Sequence, residues 1–520
     1  MESGVGRSSN TAIVSVCRGS GSVSGMLALL VFFSLFSGSG AAAACLGFVM
    51  RPQEVCGKTI FAGFSRTILG PRRMLVGRRE QQQEQQLIAP MFRKTFDMET
   101  KYVLTKQTTL PMAVMNLIQA CTGSGCMCLS GIASSTGTGL GSSLAIYLIT
   151  AMGCAWSFSM VGVACEAAER NGALRGREIG DFRTVWSKVV GRQTSFFIDV
   201  FQVAYAVLVC TCYLPMLHAM AVPALLALGV PQAMTALPLK LGLGVVLLGL
   251  SQLRSLKDLA PFSALGVAGL FCTCVMVIWR SLDGSYTLLG SFGASASIAQ
   301  TPSFWALGPS SFSLYLASAT AVSAHFNAPR FYGELQCRSS KRFQILSWTG
   351  YFFLVVSFIL LNIGTFATFG GVVQAPLINS YAIGDPFALV CRCLLCVSLL
   401  GGYPLVFISI REPMARLLAA ARSAAACRSI VGWDSISLEG AVGLASIMIV
   451  ATSLCIGNPM SAVVQVGAVL SPAFCWIFPG MLSLSAGRRW GYRSRSQGFF
   501  CRAAIAWGFV QAMLGILMSQ

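Results

Sequence analysis

The chain has 520 residues, of which 55% are hydrophobic and only 11% charged, and its mean hydropathy is +0.70. A soluble domain carries about 25% charged residues, so this composition excludes a soluble enzyme and directs attention to apolar runs of about 20 residues, the length that spans a bilayer. The net charge of +19 would suit nucleic acid, but the basic residues fall in short loops between apolar runs, as in polytopic membrane proteins; no nucleic-acid partner is expected.

Residues 1–106 read as a separate unit. MLALLVFFSLF (26–36) has the length of a signal-peptide core, with Arg7 and Arg18 before it and the small residues of GSGAAAAC after it. A basic, acid-poor tract follows, and then EQQQEQQ (80–86), read as a disordered linker. Two readings stay open for 26–50: a cleaved leader, bipartite with the basic tract as in plastid-type targeting, or an uncleaved extra N-terminal hydrophobic helix.

Residues 107–520 form the transmembrane domain. Eleven spans are expected, near 112–133, 138–164, 195–219, 236–253, 259–279, 309–328, 345–369, 386–410, 438–457, 461–484 and 499–518. Lys240, near the start of the fourth, makes that span the weakest. Every second loop is basic: Arg183 and Lys188 after span two, Arg254 and Lys257 after four, Arg338 and Lys341 after six, Arg411 and Arg416 after eight, Arg488 and Arg489 after ten. By the positive-inside rule these loops are cytoplasmic, with the residues before 110 inside and the C-terminus outside.

Two spans, five apart, are interrupted. The first contains Thr122, Gly123, Ser124 and Gly125 within CTGSGC. Such small residues serve either as a helix-packing seam or as a break in the backbone. The sixth carries His325, Asn327 and Pro329, and proline removes a backbone donor and clashes with the preceding turn. A pair of interrupted spans in corresponding halves points to an inverted-repeat transporter, whose half-helix N-termini face an anionic substrate group. An amino-acid carboxylate would suit such a cradle.

The remaining chemistry is sparse. His325, an ionisable group within a span, is a candidate for proton coupling, and a hydrogen-bonded structural role is the alternative. Asp199 is expected to cap its helix or pair with a loop arginine, with a place on an ion path as the alternative, His218 to be interfacial, and Glu334 and Glu412 to bridge to nearby basic residues. Of the 20 cysteines, CxxxxCxC (121–128) and the pair Cys393 and Cys396 have spacings that would allow a thiol metal site, but buried cysteine packs as a small hydrophobe and no metal is expected there. No catalytic residues, cofactor or metal are expected, and the chain is not read as an enzyme.

With these spans placed, the sequence resembles the amino acid/auxin permease family across residues 105–518. The resemblance rests on Asn116 with the following LIQACTGSGCMCLSGIAS, on HFNAPRFYGELQCRSSKRFQ (325–344), on LNIGTFATFG (361–370) and on GGYPLVFISIRE (401–412). It implies an all-α membrane protein with eleven transmembrane helices in a 5+5 inverted-repeat, LeuT-type bundle. It also implies secondary active, alternating-access transport of amino acids with a proton or sodium ion as partner. The backbone at Thr122, Gly123, Ser124 and Gly125 would hold the substrate carboxylate. Ala319, Thr320 and Ser323 would contribute amino-group and side-chain contacts, and Asn116 would orient the first helix or touch the ion.

The sequence departs from the family at Ser130, where a proline is usual, and at Gly402, where sodium-coupled members have a hydroxyl residue. Ser398, one turn earlier, is the available substitute. Loss of an oxygen ligand favours proton coupling or exchange over sodium symport. The rival readings are a carrier of another small organic solute and a membrane nutrient sensor signalling through residues 51–106. The site is a multi-pass membrane, either the plasma membrane or a vacuolar or lysosomal endomembrane, with a plastid-type organelle as the alternative suggested by the leader.

Overall fold

The computed structural model describes residues 108–519 apart from 123–124, 175–177, 254–259, 288–289, 293–302, 428–436, 459–462, 465, 469 and 492–494. The expected N-terminal unit, with its leader or extra helix, lies outside the described residues, as do Gly123 and Ser124 of the first interruption.

Every regular element among the described residues is helical. The α-helices of seven residues or more are, in chain order, α1 (Leu110–Cys121), α2 (Leu129–Ser135), α3 (Leu140–Arg170), α4 (Phe182–Val189), α5 (Ser195–Ala227), α6 (Leu237–Ser251), α7 (Ala260–Leu282), α8 (Ser311–Ala321), α9 (Ala328–Glu334), α10 (Ser340–Phe369), α11 (Pro386–Cys427), α12 (Leu438–Cys455), α13 (Phe478–Trp490) and α14 (Arg495–Ser519). A π-helical stretch, Ala473–Ile477, leads into α13.

Nine helices among the described residues are long and apolar enough to cross a membrane, and α1 with α2, bent by 55° at their break, makes a tenth. The sixth predicted span is α8 with α9, pieces of 11 and 7 residues that are each too short to cross alone. The predicted boundaries fall short at the third and eighth spans, where α5 continues to Ala227 and α11 to Cys427. Apolar run length marks where lipid ends, whereas a helix stops only where its backbone is turned. Gly229, with φ +81°, supplies that turn just after α5.

Local chemistry explains several termini. Ser339 caps α10 by accepting from the Arg342 N–H, and Gly370, with φ +63°, ends it. Asp181 caps α4 through the Thr184 N–H at 3.1 Å. That short helix buries Phe182, Val185, Trp186 and Val189, one face at helical spacing.

The bundle packs α11 against α5 and α7, α10 against α3, and α13 against α3 and α14. Small residues admit these contacts. A Cβ built at Gly162 of α3 would collide with the Phe343 ring of α10, and one at Gly350 would lie 2.6 Å from Leu117 of α1. At the periphery, α6 and α14 turn Val245, Val246, Met513 and Leu517 outward. Exposed apolar rows of this kind are stable facing lipid rather than water, so the chain is an integral, multi-pass membrane protein.

The predicted basic loops gather at one end of the bundle. Thr108 pairs with Leu335 as a β-bridge, bringing the start of the first span to the end of the sixth. Arg338 bridges to Glu169, Arg411 donates to the Ser251 carbonyl at 2.9 Å, and Arg489 to that of Lys188 at 2.7 Å. Asp199, fully buried at the start of α5, pairs with Arg183 and with Arg416 at 2.8 Å, as expected. Glu334 meets Arg330 at 2.8 Å and Glu412 lies 3.9 Å from Arg416.

The opposite end is tied differently. Arg280 of α7 grips both carboxylate oxygens of Asp385 at 2.9 and 2.7 Å, and the Tyr286 hydroxyl adds a third bond at 2.9 Å. Lys240 is tolerated because its ammonium donates to the Leu454 and Ile456 carbonyls, at 2.9 and 3.1 Å, where α12 runs out. His218 lies 3.1 Å from the Thr235 carbonyl and so ties α5 to the approach to α6.

Candidate functional site

The two interrupted spans meet in the centre of the bundle. α1 stops at Cys121, and Thr122 folds back, its N–H and hydroxyl donating to the Ile118 carbonyl at 2.8 and 2.6 Å. Beyond the break, Gly125 begins a single 3₁₀ turn, Cys126–Cys128, and α2 continues the span. In the sixth span α8 stops at Ala321, and a second 3₁₀ turn, His325–Asn327, leads into α9 with Pro329 in its first turn. Proline is harmless there because the first turn leaves its N–H groups unbonded.

Gly125 brings the breaks together. A Cβ built on it would lie 3.2 Å from both the Cα and the Cβ of Ala321, so the two backbones are in contact at the points where both helices are open. Backbone groups freed by a break inside the membrane must find partners in protein, water or ligand. Two carbonyls of the sixth break are satisfied by tyrosines: Tyr351 of α10 donates to Val322 at 3.0 Å and Tyr205 of α5 to Ser323 at 3.3 Å. Ser323 Oγ is buried beside them, with the Cys475 thiol as its neighbour.

The other sequence candidates distribute around this centre. Ala319 is fully buried, with its carbonyl 3.9 Å from Cys475 Sγ. Thr320 turns towards the tenth span, its hydroxyl 3.3 Å from Ser471 Oγ and 3.0 Å from the Leu316 carbonyl. Asn116 is half-buried on α1. Ser398 accepts a hydrogen bond from Gln119 at 3.3 Å, which links the eighth span to the first. A Cβ at Gly402 would lie 3.3 Å from the Tyr213 hydroxyl, so the missing side chain leaves room for a phenol. His325 is fully buried, with Nε2 2.8 Å from Ser157 Oγ and its ring edge-on to Phe158.

Sequence reasoning missed Gln119, Tyr205 and Tyr351. Each is a polar residue in an apolar run, and that signal was present. Which of them would face a break depends on helix rotation, which an isolated span does not specify. Tyr351→Phe is expected to lower uptake about two- to tenfold at unchanged protein level, since a hydrogen bond is worth about 0.5–1.5 kcal/mol. Uptake in membranes with matched protein abundance checks this, and an unchanged rate would show that the Val322 carbonyl needs no partner.

Residues 106–518 match the family described as transmembrane amino acid transporter protein. No curated protein matches the chain. Among solved structures, one described as the crystal structure of MhsT in complex with L-phenylalanine aligns over 80% of this chain and 99% of its own, at 12% identity and a TM-score of 0.46.

Proposed function

Since the chain belongs to the transmembrane amino acid transporter family, we propose that it is a secondary active carrier that moves amino acids by alternating access, driven by protons or by exchange. The observation that carries this reading is the apposition of the two breaks at Gly125 and Ala321, with the buried Ser323 hydroxyl beside them. N–H groups opening the second half of the first span would receive the carboxylate, and carbonyls closing α8 would receive the ammonium, each matching the dipole of its helix end.

A neutral zwitterion fits the charges present. Among the described residues the buried acids are Asp199 and Asp385, and both are held in ion pairs at opposite ends of the bundle. A polycation would need a carboxylate at mid-depth. Sodium would need several oxygen ligands, whereas Gly402 offers no side-chain oxygen and the Ser398 hydroxyl is engaged by Gln119. In the transport cycle, the first and sixth spans would rock against the others around the fixed site.

Purified protein in liposomes, offered a panel of labelled amino acids, tests the proposal. The expected result is accumulation of a neutral amino acid under an inward proton gradient, or against a preloaded amino acid, without a sodium requirement. Accumulation under a sodium gradient alone would reject the coupling, and no movement of any amino acid would reject the function.

A further inference from the structure

Cys154 of α3, His325 in the turn after α8 and Cys475 in the π-helical stretch before α13 converge, each offering one ligand atom within 4.8 Å of the other two. All three are fully buried. The imidazole is already oriented. Ser157 Oγ donates to the Cys154 carbonyl at 3.1 Å, and Nε2 lies 2.8 Å from that hydroxyl and 3.2 Å from the same carbonyl. With the hydroxyl hydrogen engaged, Nε2 carries the ring proton and donates. Nδ1 is then a lone pair, fully buried, on a ring whose neighbour is the Cys475 thiol.

A cysteine in a membrane helix is ordinarily a small apolar filler. Two features distinguish this cluster. Cys475 sits in a π-helical insertion, Ala473–Ile477, a departure from α-helix found mostly at functional positions. The histidine has one nitrogen fixed by an outer hydroxyl and carbonyl while the ring's other side meets thiols, as in a metal-ligating imidazole with its second shell in place.

We propose that Cys154, Cys475 and His325 Nδ1 form a zinc(II) site. Zinc–ligand bonds of about 2.0–2.3 Å place the ligand atoms around one ion roughly 3.5–4 Å apart, which the cluster reaches by a small closing movement. On binding, the two thiols lose their protons to water. Two thiolates, one neutral imidazole, a water as the fourth ligand and Zn²⁺ then sum to zero charge, the state a low-dielectric interior favours. A monovalent soft ion with the same ligands would leave a net negative charge. The ligands come from the second span, the sixth-span break and the tenth span, so the bound ion clamps the broken span to two neighbours. Only this consequence, slowed transport, rests on the transport reading.

The test uses purified, chelator-stripped full-length protein dialysed against zinc chloride, with metal quantified per chain. One zinc per chain is expected for the unmodified protein and for Cys393→Ser/Cys396→Ser, and none for Cys475→Ser or His325→Asn. Cobalt(II) loading of the unmodified protein should give thiolate-to-metal charge-transfer absorption with tetrahedral d–d bands, a readout that needs no variant to fold. Absence of stoichiometric zinc, or equal binding in Cys475→Ser, overturns the site. In liposomes zinc should slow uptake by the unmodified protein and not by Cys475→Ser. Bound zinc with unchanged uptake overturns the clamp, while bound zinc in a protein that moves no amino acid leaves the site standing and rejects the transport reading.

Discussion

Gly125→Val is expected to abolish amino-acid uptake while leaving the amount of protein in the membrane unchanged. The reason is steric rather than conformational. Gly125 has φ −74° and ψ −43°, right-handed helical values that any residue adopts, so a side chain costs no backbone strain. Its Cβ, however, would lie 3.2 Å from the Cα of Ala321, a backbone atom that cannot rotate aside. Alanine at this position would press the two breaks apart by a few tenths of an ångström, and valine adds two methyl groups at the same point. Overpacking costs about 1–3 kcal/mol, which a large bundle tolerates in stability. A site that must close around a small ligand does not tolerate it, and a loss of at least about tenfold follows from 1.4 kcal/mol per decade. Gly125→Ala should fall between the two. Uptake measured against membrane abundance decides the matter, and normal transport by the valine variant would sink the assignment of the site to the meeting of the breaks.

Asp199→Ala should produce the largest loss of stability among single substitutions at the basic end. The carboxylate is fully buried and joins Arg183, before α5, to Arg416 of α11, the partner helix of α5 in the bundle. Removing one member of a buried pair costs about 3–5 kcal/mol. Here the value should fall nearer 2–3 kcal/mol, because both guanidiniums keep some contact with solvent and Arg416 retains Asp181 at 3.2 Å. Thermal unfolding of the solubilised protein should show a clearly lowered midpoint for Asp199→Ala and none for Lys188→Ala, whose side chain is exposed. Equal midpoints would mean that Asp199 is not a structural tie.

The cysteines illustrate how far sequence reading reaches. Along the chain, cysteines lie close together at 121–128 and at Cys393 with Cys396. The cluster that the fold assembles draws on residues 154, 325 and 475, far apart in sequence and on three different spans. No local pattern signals it. The tyrosines that satisfy the sixth break and the Arg280–Asp385 pair were missed for the same reason, since each contact joins elements brought together only by packing. The Asp199 pairing was legible because a lone acid at the mouth of an apolar run, near loops rich in arginine, has few other ways to be neutralised.

The sequence by itself determined the class of protein, the order of the spans, the grouping of basic loops at one end and the presence of poor helix formers in the first and sixth spans. Hydrophobic run length, loop charge and helix-breaking residues are local properties that the bilayer reads directly. Only the tertiary structure decided that the interruptions touch, through the missing Cβ of Gly125. It also decided that Thr320 faces the tenth span and that His325 is held by Ser157 among thiols. Helix rotation and inter-helix distance are set by how side chains interlock across the bundle, and the sequence of one span carries no record of its neighbours.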